Sequence, residues 1–269
     1  MDLKVHKTIP DIKWPHRVVD NFFSKEQLDW IQSTFEKGYK NLQKEHPQYF
    51  KDGKLLPYGE IKKLYGHKKN NKGQEIIVNG FSAFIPFWDS GRLADVIDDV
   101  WKEGLDTYTF DKNQNIKRKD YFTFLELNIY PAGLTYSYHM DSTYKAFTGV
   151  AYIGETGTGT TLKSGDIEVK LNWKHNRGLL FMNCDKERRM KKDVNDELST
   201  WHKYKNDTDE VRYAVNFNMT HMKDIHMTLS HILYRDRQAF EYKKVQNISP
   251  RENVKFYPIQ VAMKPEIKK

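Results

Sequence analysis

The chain has 269 residues, of which 38% are hydrophobic and 30% are charged, and its formal net charge is +8. This balance is typical of a globular protein and excludes a disordered chain. No apolar run approaches about 18 residues, so we expect no membrane span, and the first residues lack the apolar segment of a signal peptide. The one cysteine, Cys184, excludes an internal disulfide and a cysteine-rich zinc site. We therefore expect a cytoplasmic protein in which His, Asp or Glu would have to hold any metal.

The positive charge is concentrated in two stretches. Residues 37–78 contain ten Lys and four acidic residues, and residues 186–192 contain five basic residues and one acidic residue. Solvated loops are the simplest interpretation, and an anionic partner is the alternative. Neither a recognition helix nor an aromatic–basic stacking motif accompanies the stretches, which makes nucleic acid an unfavoured partner.

Two helices are predicted in the first 120 residues. The first begins after Ser24, which can cap it, with Gln27 at the third helical position and Phe23 and Leu28 placed as a hydrophobic staple. The second is predicted to begin near residues 89–90 and to end at Gly104. Its apolar positions recur at helical spacing, namely Leu93, Val96, Ile97, Val100 and Trp101.

From residue 121 onward the pattern changes to short strands rich in aromatic and β-branched residues. The predicted strands are YFTFLELNIY, AFTGVAYI, DIEVKLNW, RGLLFMN and RYAVNFN. Several short strands after two helices predict an α+β fold in which helices pack outside a jelly roll or barrel. We expect a single domain over 1–269, with a helical lead-in and basic insertion at 1–120, a jelly-roll core at 121–220 and a C-terminal extension at 221–269.

His139, Asp141 and His202 form a candidate metal-binding set. A histidine and a carboxylate two residues apart can reach one metal from the end of a strand, and the third ligand would come from another strand. Two imidazoles and one carboxylate leave open positions on a metal, as non-haem Fe(II) oxygenases require. The pair His139 and Asp141 alone is a weak signal, because such a pair is more often structural.

Arg212 strengthens this interpretation. It lies ten residues beyond His202 in a segment that alternates as a strand, so Arg212, Ala214 and Asn216 share one face. The planar guanidinium can bind a carboxylate through two hydrogen bonds, which suits a dicarboxylate ligand. The alternative is a surface strand residue in an ordinary salt bridge.

Four sequence blocks together resemble the Fe(II)/2-oxoglutarate-dependent dioxygenase superfamily, and within it the prolyl-hydroxylase-like branch. They lie in order between about residues 121 and 218. The blocks are Asn128–Gly133 with His139-Met-Asp141, Thr148–Ile153, Gly159–Leu162 through Arg177–Phe181, and Trp201-His202 with Arg212-Tyr-Ala-Val. Residues 37–78 and 185–200 have no counterpart in that branch, and this departure puts prolyl specificity in doubt.

The resemblance implies a double-stranded β-helix (jelly roll) with flanking N-terminal helices and a metal at its open end. It implies that His139, Asp141 and His202 bind Fe(II) and that Arg212 pairs with the distal carboxylate of 2-oxoglutarate. Tyr152 and Asn216 match positions that contact the cosubstrate in some members of the superfamily. Thr148 shares the strand face of Tyr152 and is expected to line the same pocket. Tyr130 is expected to flank the cosubstrate or the substrate, with a core aromatic as the alternative. The implied reaction consumes O₂, converts 2-oxoglutarate to succinate and CO₂, and hydroxylates a C–H bond of a peptidyl residue, an amino acid or a small metabolite.

The main alternative is a non-catalytic, cupin-like jelly roll that binds a metal or another ligand. Such a protein would not need Arg212 as a carboxylate clamp. The remaining titratable residues are expected to have surface or structural roles, namely His175, Cys184, His221, His226 and His231.

Overall fold

A computed structural model describes residues 4–65, 76–86, 92–110, 118–142, 144–183, 186–224 and 255–262. In the N-terminal part the strands are β1 (Val5–Lys7), β2 (His16–Asp20), β3 (Phe50–Lys51), β4 (Lys54–Leu55) and β5 (Ile76–Pro86), with helices α1 (Lys25–Glu45), α2 (Tyr58–Tyr65) and α3 (Arg92–Phe110). The later elements are β6 (Tyr121–Tyr130), β7 (Thr135–His139), β8 (Lys145–Ile153), β9 (Thr161–Ser164), β10 (Ile167–Lys170), β11 (Arg177–Met182), α4 (Lys186–Lys191), β12 (Trp201–Lys205), β13 (Arg212–His221) and β14 (Tyr257–Ala262).

Strands β6 to β13 form a jelly roll of two sheets. A large sheet has the order β1-β2-β11-β8-β13-β6-β5-β14, and a small sheet has the order β10-β9-β12-β7. The chain passes back and forth between them, so that β6, β8, β11 and β13 lie in the large sheet and β7, β9, β10 and β12 lie in the small one. The pairings among these eight strands are antiparallel. The predicted α+β fold with a jelly-roll core is therefore confirmed.

The main hydrophobic core lies on the outer face of the large sheet, beneath the helices. Alternate residues of β6 and β13 point there, because side chains of a strand alternate between its two faces. Helix α1 contributes apolar residues to the same core. The fully buried residues from these elements include Leu125, Leu127, Ile129, Val215, Phe217 and Ile31.

The predicted start of α1 is confirmed by a complete capping box. The Gln27 amide donates to the Ser24 hydroxyl at 3.3 Å, and the Ser24 amide donates to the Gln27 side chain at 2.9 Å. The Gln27 side chain also donates to Asp99 of α3 at 2.8 Å, which ties the two helices together.

The predicted end of the second helix at Gly104 is wrong, because α3 continues to Phe110. A Cβ atom at Gly104 would lie 2.7 Å from the Met219 sulfur and 3.2 Å from the Phe147 ring. The glycine therefore allows the helix to approach the large sheet closely, and this packing role rather than helix termination explains it. The predicted start at residues 89–90 lies outside the described residues.

The lead-in contributes strands as well as helices. Strands β1 and β2 extend one edge of the large sheet, and β5 pairs with β6 near the other. The C-terminal strand β14 pairs with β5. In the described parts of the chain, no helix has the length and apolar character needed to cross a membrane. Cys184, His226 and His231 lie outside the described residues.

Candidate metal centre

The two candidate histidine ligands lie side by side on neighbouring strands of the small sheet. His202 on β12 is the register partner of His139 at the end of β7, and their ring centroids are 4.3 Å apart. Asp141 follows two residues after His139, where the chain has left the strand. One ligand atom from each of the three residues lies within 4.8 Å of the other two. The structure therefore brings together the three predicted metal ligands.

Backbone carbonyls fix the orientation of both rings. His139 Nδ1 lies 2.8 Å from the Ser137 carbonyl oxygen, and His202 Nδ1 lies 3.0 Å from that of Thr200. A carbonyl only accepts hydrogen bonds, so Nδ1 must carry the proton in both rings. Nε2 is therefore the ring atom that each histidine can offer to a metal, as in metal-binding histidines with such partners.

Asp141 supplies an unsatisfied carboxylate oxygen. Its Oδ2 atom is buried without a hydrogen-bond partner, whereas Oδ1 lies 3.5 Å from Lys145 Nζ. Burial raises the pKa of this carboxyl, but the positive charge of Lys145, the two neighbouring imidazoles and a hydrogen bond from Thr148 outweigh that effect and leave the pKa well below its usual range. Burial and the adjacent His139 lower the pKa of His202 to about 4. The cluster thus offers two imidazole nitrogens and one carboxylate, a donor set that fits Fe(II) with positions left for other ligands.

Arg212 is a buried cation at the same cavity. It is 2% exposed, and its guanidinium carbon lies 3.6 Å from the centroid of the Tyr204 ring. The Nε atom has no hydrogen-bond partner, and no carboxylate among the described residues forms an ion pair with Arg212. Because a buried charge is costly without a counter-ion, this arrangement favours an anionic ligand.

A cavity of about 130 Å³ joins the metal cluster to Arg212. Three of the four additional predicted residues line it, namely Tyr130, Thr148 and Asn216. The Thr148 hydroxyl lies beside Asp141, and the Asn216 amide lies 3.4 Å from the Tyr130 hydroxyl. Their side chains lie on the inner face of the large sheet, opposite to the main core.

The fourth residue, Tyr152, lies behind Arg212 rather than in the cavity lining. Its ring centroid is 5.3 Å from the guanidinium carbon and stacks on Trp173 at 4.8 Å. Its hydroxyl accepts the Thr160 amide hydrogen at 2.9 Å. Tyr152 therefore packs behind Arg212 and helps to place it.

The sequence analysis did not single out Tyr204, Tyr136 or Lys145, all of which line the cavity. Tyr204 could have been found, because it is two residues beyond His202 and side chains two apart on a strand share a face. Lys145 could not have been found in this way, since a turn brings it to Asp141 and a turn has no regular alternation of side chains in the sequence.

The segment after β11 reaches the metal cluster. Arg189 of α4 donates to the Met140 carbonyl oxygen at 2.9 Å, between two of the candidate ligands. Farther along, the Trp201 indole donates to the Asp193 carbonyl oxygen at 2.9 Å. The basic stretch 186–192 is thus partly a structural support for the site rather than a solvated loop alone.

No protein-family model matches the sequence, and no curated protein matches it. Solved structures do resemble the fold. JOX2, solved in complex with 2OG, Fe and JA, aligns with a TM-score of 0.50 and 13% identity over 80% of this chain and 70% of that chain. The viral collagen prolyl hydroxylase of Paramecium Bursaria Chlorella virus-1 gives 0.46 and 15%, over 79% and 99% of the two chains. A prolyl-4-hydroxylase of Pseudomonas putida gives 0.44 and 11%, over 78% and 94%.

The likeness to JOX2 shows that the two chains share a fold. The resemblance drawn from the sequence blocks is thereby confirmed at the level of the fold. At these identities the comparison does not extend to substrate or reaction, for which the residues of the cavity are the guide.

Proposed function

We propose that the protein is an Fe(II)- and 2-oxoglutarate-dependent oxygenase that hydroxylates a C–H bond of a small-molecule or peptidyl substrate. The observation that carries the proposal is a buried Arg212 without a carboxylate partner among the described residues, in the same cavity as a two-histidine, one-carboxylate cluster. A jelly roll that only bound a metal would have no use for this cation.

In the proposed site, His139, Asp141 and His202 hold the metal through Nε2, a carboxylate oxygen and Nε2. The metal would supply the activation of O₂, which closed-shell organic substrates require. Arg212 binds the distal carboxylate of 2-oxoglutarate, and Tyr204 keeps its guanidinium plane in position. Phe181 packs against His202 with ring centroids 4.9 Å apart, which holds that imidazole in place and keeps water from its buried face.

The proposal is tested by an anaerobic visible-absorbance titration with Fe(II) and then 2-oxoglutarate. The wild type should develop a weak metal-to-ligand charge-transfer band, and His139→Ala should not. Arg212→Ala should need at least about tenfold more 2-oxoglutarate, since a charged hydrogen bond is worth about 1.5–3 kcal/mol. Lys170→Ala, which removes a half-exposed cation on the edge strand β10, is the matched control and should resemble the wild type.

A folded, metal-loaded wild type without the band would contradict the oxygenase and leave the cupin-like binding protein as the better account. A second measurement is the slow formation of succinate from 2-oxoglutarate in air without a substrate. It should be lost in His139→Ala and retained in Lys170→Ala.

A further inference from the structure

Lys145 is a second cation of the cavity, placed beside the metal cluster. Its Nζ atom lies 3.5 Å from Asp141 Oδ1, and its side chain is 16% exposed. Its backbone is fixed on both sides, because its amide donates to the Ser142 carbonyl oxygen at 2.9 Å and its carbonyl accepts from the Asn183 side chain. The ammonium is therefore held close to the cluster by the fold.

Among the described residues, Asp141 is the acid that pairs with this ammonium. In the metal-loaded protein the charge of Asp141 is directed to the metal, so Lys145 is left beside a cationic centre in a largely buried position. A buried ammonium in that setting is costly unless another anion lies close to it. Glu126 also lines the cavity, but the ion pair of Lys145 is with Asp141, so the charge arrangement favours an anion bound at the Lys145 side of the metal.

Lys145 and Arg212 lie at opposite ends of the strand pair β8 and β13. Lys145 is paired with Thr220, whereas Arg212 begins β13 and is paired with Tyr130. These positions are eight residues apart along β13, or about 27 Å of strand. Lys145 therefore enters the cavity from the end opposite to Arg212, with its ammonium beside the metal cluster.

Unfilled hydrogen-bonding groups lie near the same end. The Thr148 hydroxyl lines the cavity beside Asp141. Asn218, its register partner on β13, is 1% exposed, and both polar atoms of its side-chain amide lack partners. Buried polar groups normally have partners, so the lack of them at Asn218 is consistent with a polar ligand at this end.

We propose that Lys145 and the Thr148 hydroxyl form a binding site for a carboxylate of the substrate, so that the oxygenase acts on a carboxylate-bearing molecule oriented by this contact. The inference rests on the proposed function and adds the chemical class of the substrate. Lys145 is a specificity-determining residue in this account, and Arg212 remains specific for the cosubstrate.

The test uses the Co(II)-loaded protein saturated with 2-oxoglutarate and follows the visible Co(II) absorption. Acetate is the probe, and acetamide, which has a similar shape without the charge, is its control at constant ionic strength. Acetate should change the spectrum saturably, and acetamide should not. Lys145→Gln should weaken acetate binding by about tenfold or more, while Lys145→Arg and Lys170→Gln should retain it.

The affinity for 2-oxoglutarate distinguishes a role of Lys145 in binding the substrate from a role in binding the cosubstrate. We expect Lys145→Gln to bind 2-oxoglutarate within about threefold of the wild type, because the loss of Lys145 leaves the Arg212 contact intact. Equal responses to acetate and acetamide, or an acetate response that persists in Lys145→Gln, would overturn the proposal, since acetate would then bind without Lys145. A large loss of 2-oxoglutarate affinity in Lys145→Gln would assign Lys145 to the cosubstrate instead.

Failure of the proposed function gives a different result, because Co(II) in the wild type would then show no response to 2-oxoglutarate. If Lys145→Gln fails to fold, Lys145→Met, which keeps a side chain of similar length without the charge, takes its place in the comparison of acetate with acetamide.

Discussion

Arg212 owes its orientation to the aromatic residues around it. The Tyr204 ring covers one face of the guanidinium at 3.6 Å, and the Tyr152 ring lies at 5.3 Å. Burial raises the pKa of Tyr204 to about 12, so its phenol is neutral at physiological pH and does not neutralise the cation. The stacked ring thus stabilises Arg212 through its face while leaving the charge available to an anion.

Tyr204 should therefore influence 2-oxoglutarate binding mainly through its ring. We expect Tyr204→Leu to weaken 2-oxoglutarate binding by about tenfold, because a desolvated cation–π contact is worth up to about 2 kcal/mol. Tyr204→Phe keeps the ring and should stay within about threefold of the wild type. The anaerobic absorbance titration measures both, and an equal loss in the two variants would show that the hydroxyl, rather than the ring, makes the contact.

At the scale of elements, Asp20 fastens the N-terminal strands to the jelly roll. This carboxylate at the end of β2 is 3% exposed and accepts two hydrogen bonds from Arg177 of β11, at 2.6 and 3.1 Å. Lys7 of β1 and Lys174, just before β11, pair with it at 3.1 and 3.2 Å. The bonds from Arg177 hold the pKa of Asp20 well below its usual range, against the opposing effect of burial.

We expect Asp20→Asn to lower the free energy of unfolding at pH 7 by roughly 3 kcal/mol, because it leaves a cluster of cations without its anion. Because the pKa of Asp20 is lower in the folded protein than in the unfolded chain, the stabilisation is fully present above the pKa of the unfolded carboxyl, about 4. It is lost as the pH falls from there toward the pKa of the folded protein. Urea unfolding between pH 7 and pH 3 measures this difference. A gap between wild type and variant that stays constant down to pH 3 would contradict the assignment.

Elements with a local signal were predictable from the sequence, and those defined by distant contacts were not. The start of α1 follows from Ser24 and Gln27, which satisfy each other's backbone within one turn. The predicted end of α3 was wrong because Gly104 makes room for the sulfur of Met219, a residue more than a hundred positions away in the sequence. Strands β7 and β12, which carry the histidines, are short and polar, so their ligand spacing is a clearer signal than their strand pattern.

The same division applies to the candidate site. His139, Asp141, His202 and Arg212 could be predicted because each belongs to a motif of fixed spacing. Lys145 could not, because its place beside Asp141 depends on a turn held by the side chain of Asn183, the residue after β11.

At the scale of the whole molecule, the cavity lies between the two sheets. His139 and His202 belong to the small sheet, whereas Arg212, Thr148 and Asn216 belong to the large one. A ligand that contacts both sets would join the sheets at the open end of the jelly roll. Ligand binding and resistance to unfolding should accordingly be coupled.

The proposed metal should therefore stabilise the folded protein, and 2-oxoglutarate should add to this stabilisation when the metal is bound to an intact cluster. With Fe(II) and 2-oxoglutarate in anaerobic solution at about 100 times their dissociation constants, one such binding step contributes about 2.7 kcal/mol, or an increase of roughly 5–10 °C in the melting temperature for a chain of this size. Calorimetry with and without a chelator measures the shift, with His202→Ala as the variant that should not respond.

Arg212→Ala separates the two contributions, because it should keep the stabilisation by metal and lose the additional part that 2-oxoglutarate provides. If 2-oxoglutarate stabilised Arg212→Ala as strongly as the wild type, the cosubstrate would not join the two sheets through this arginine.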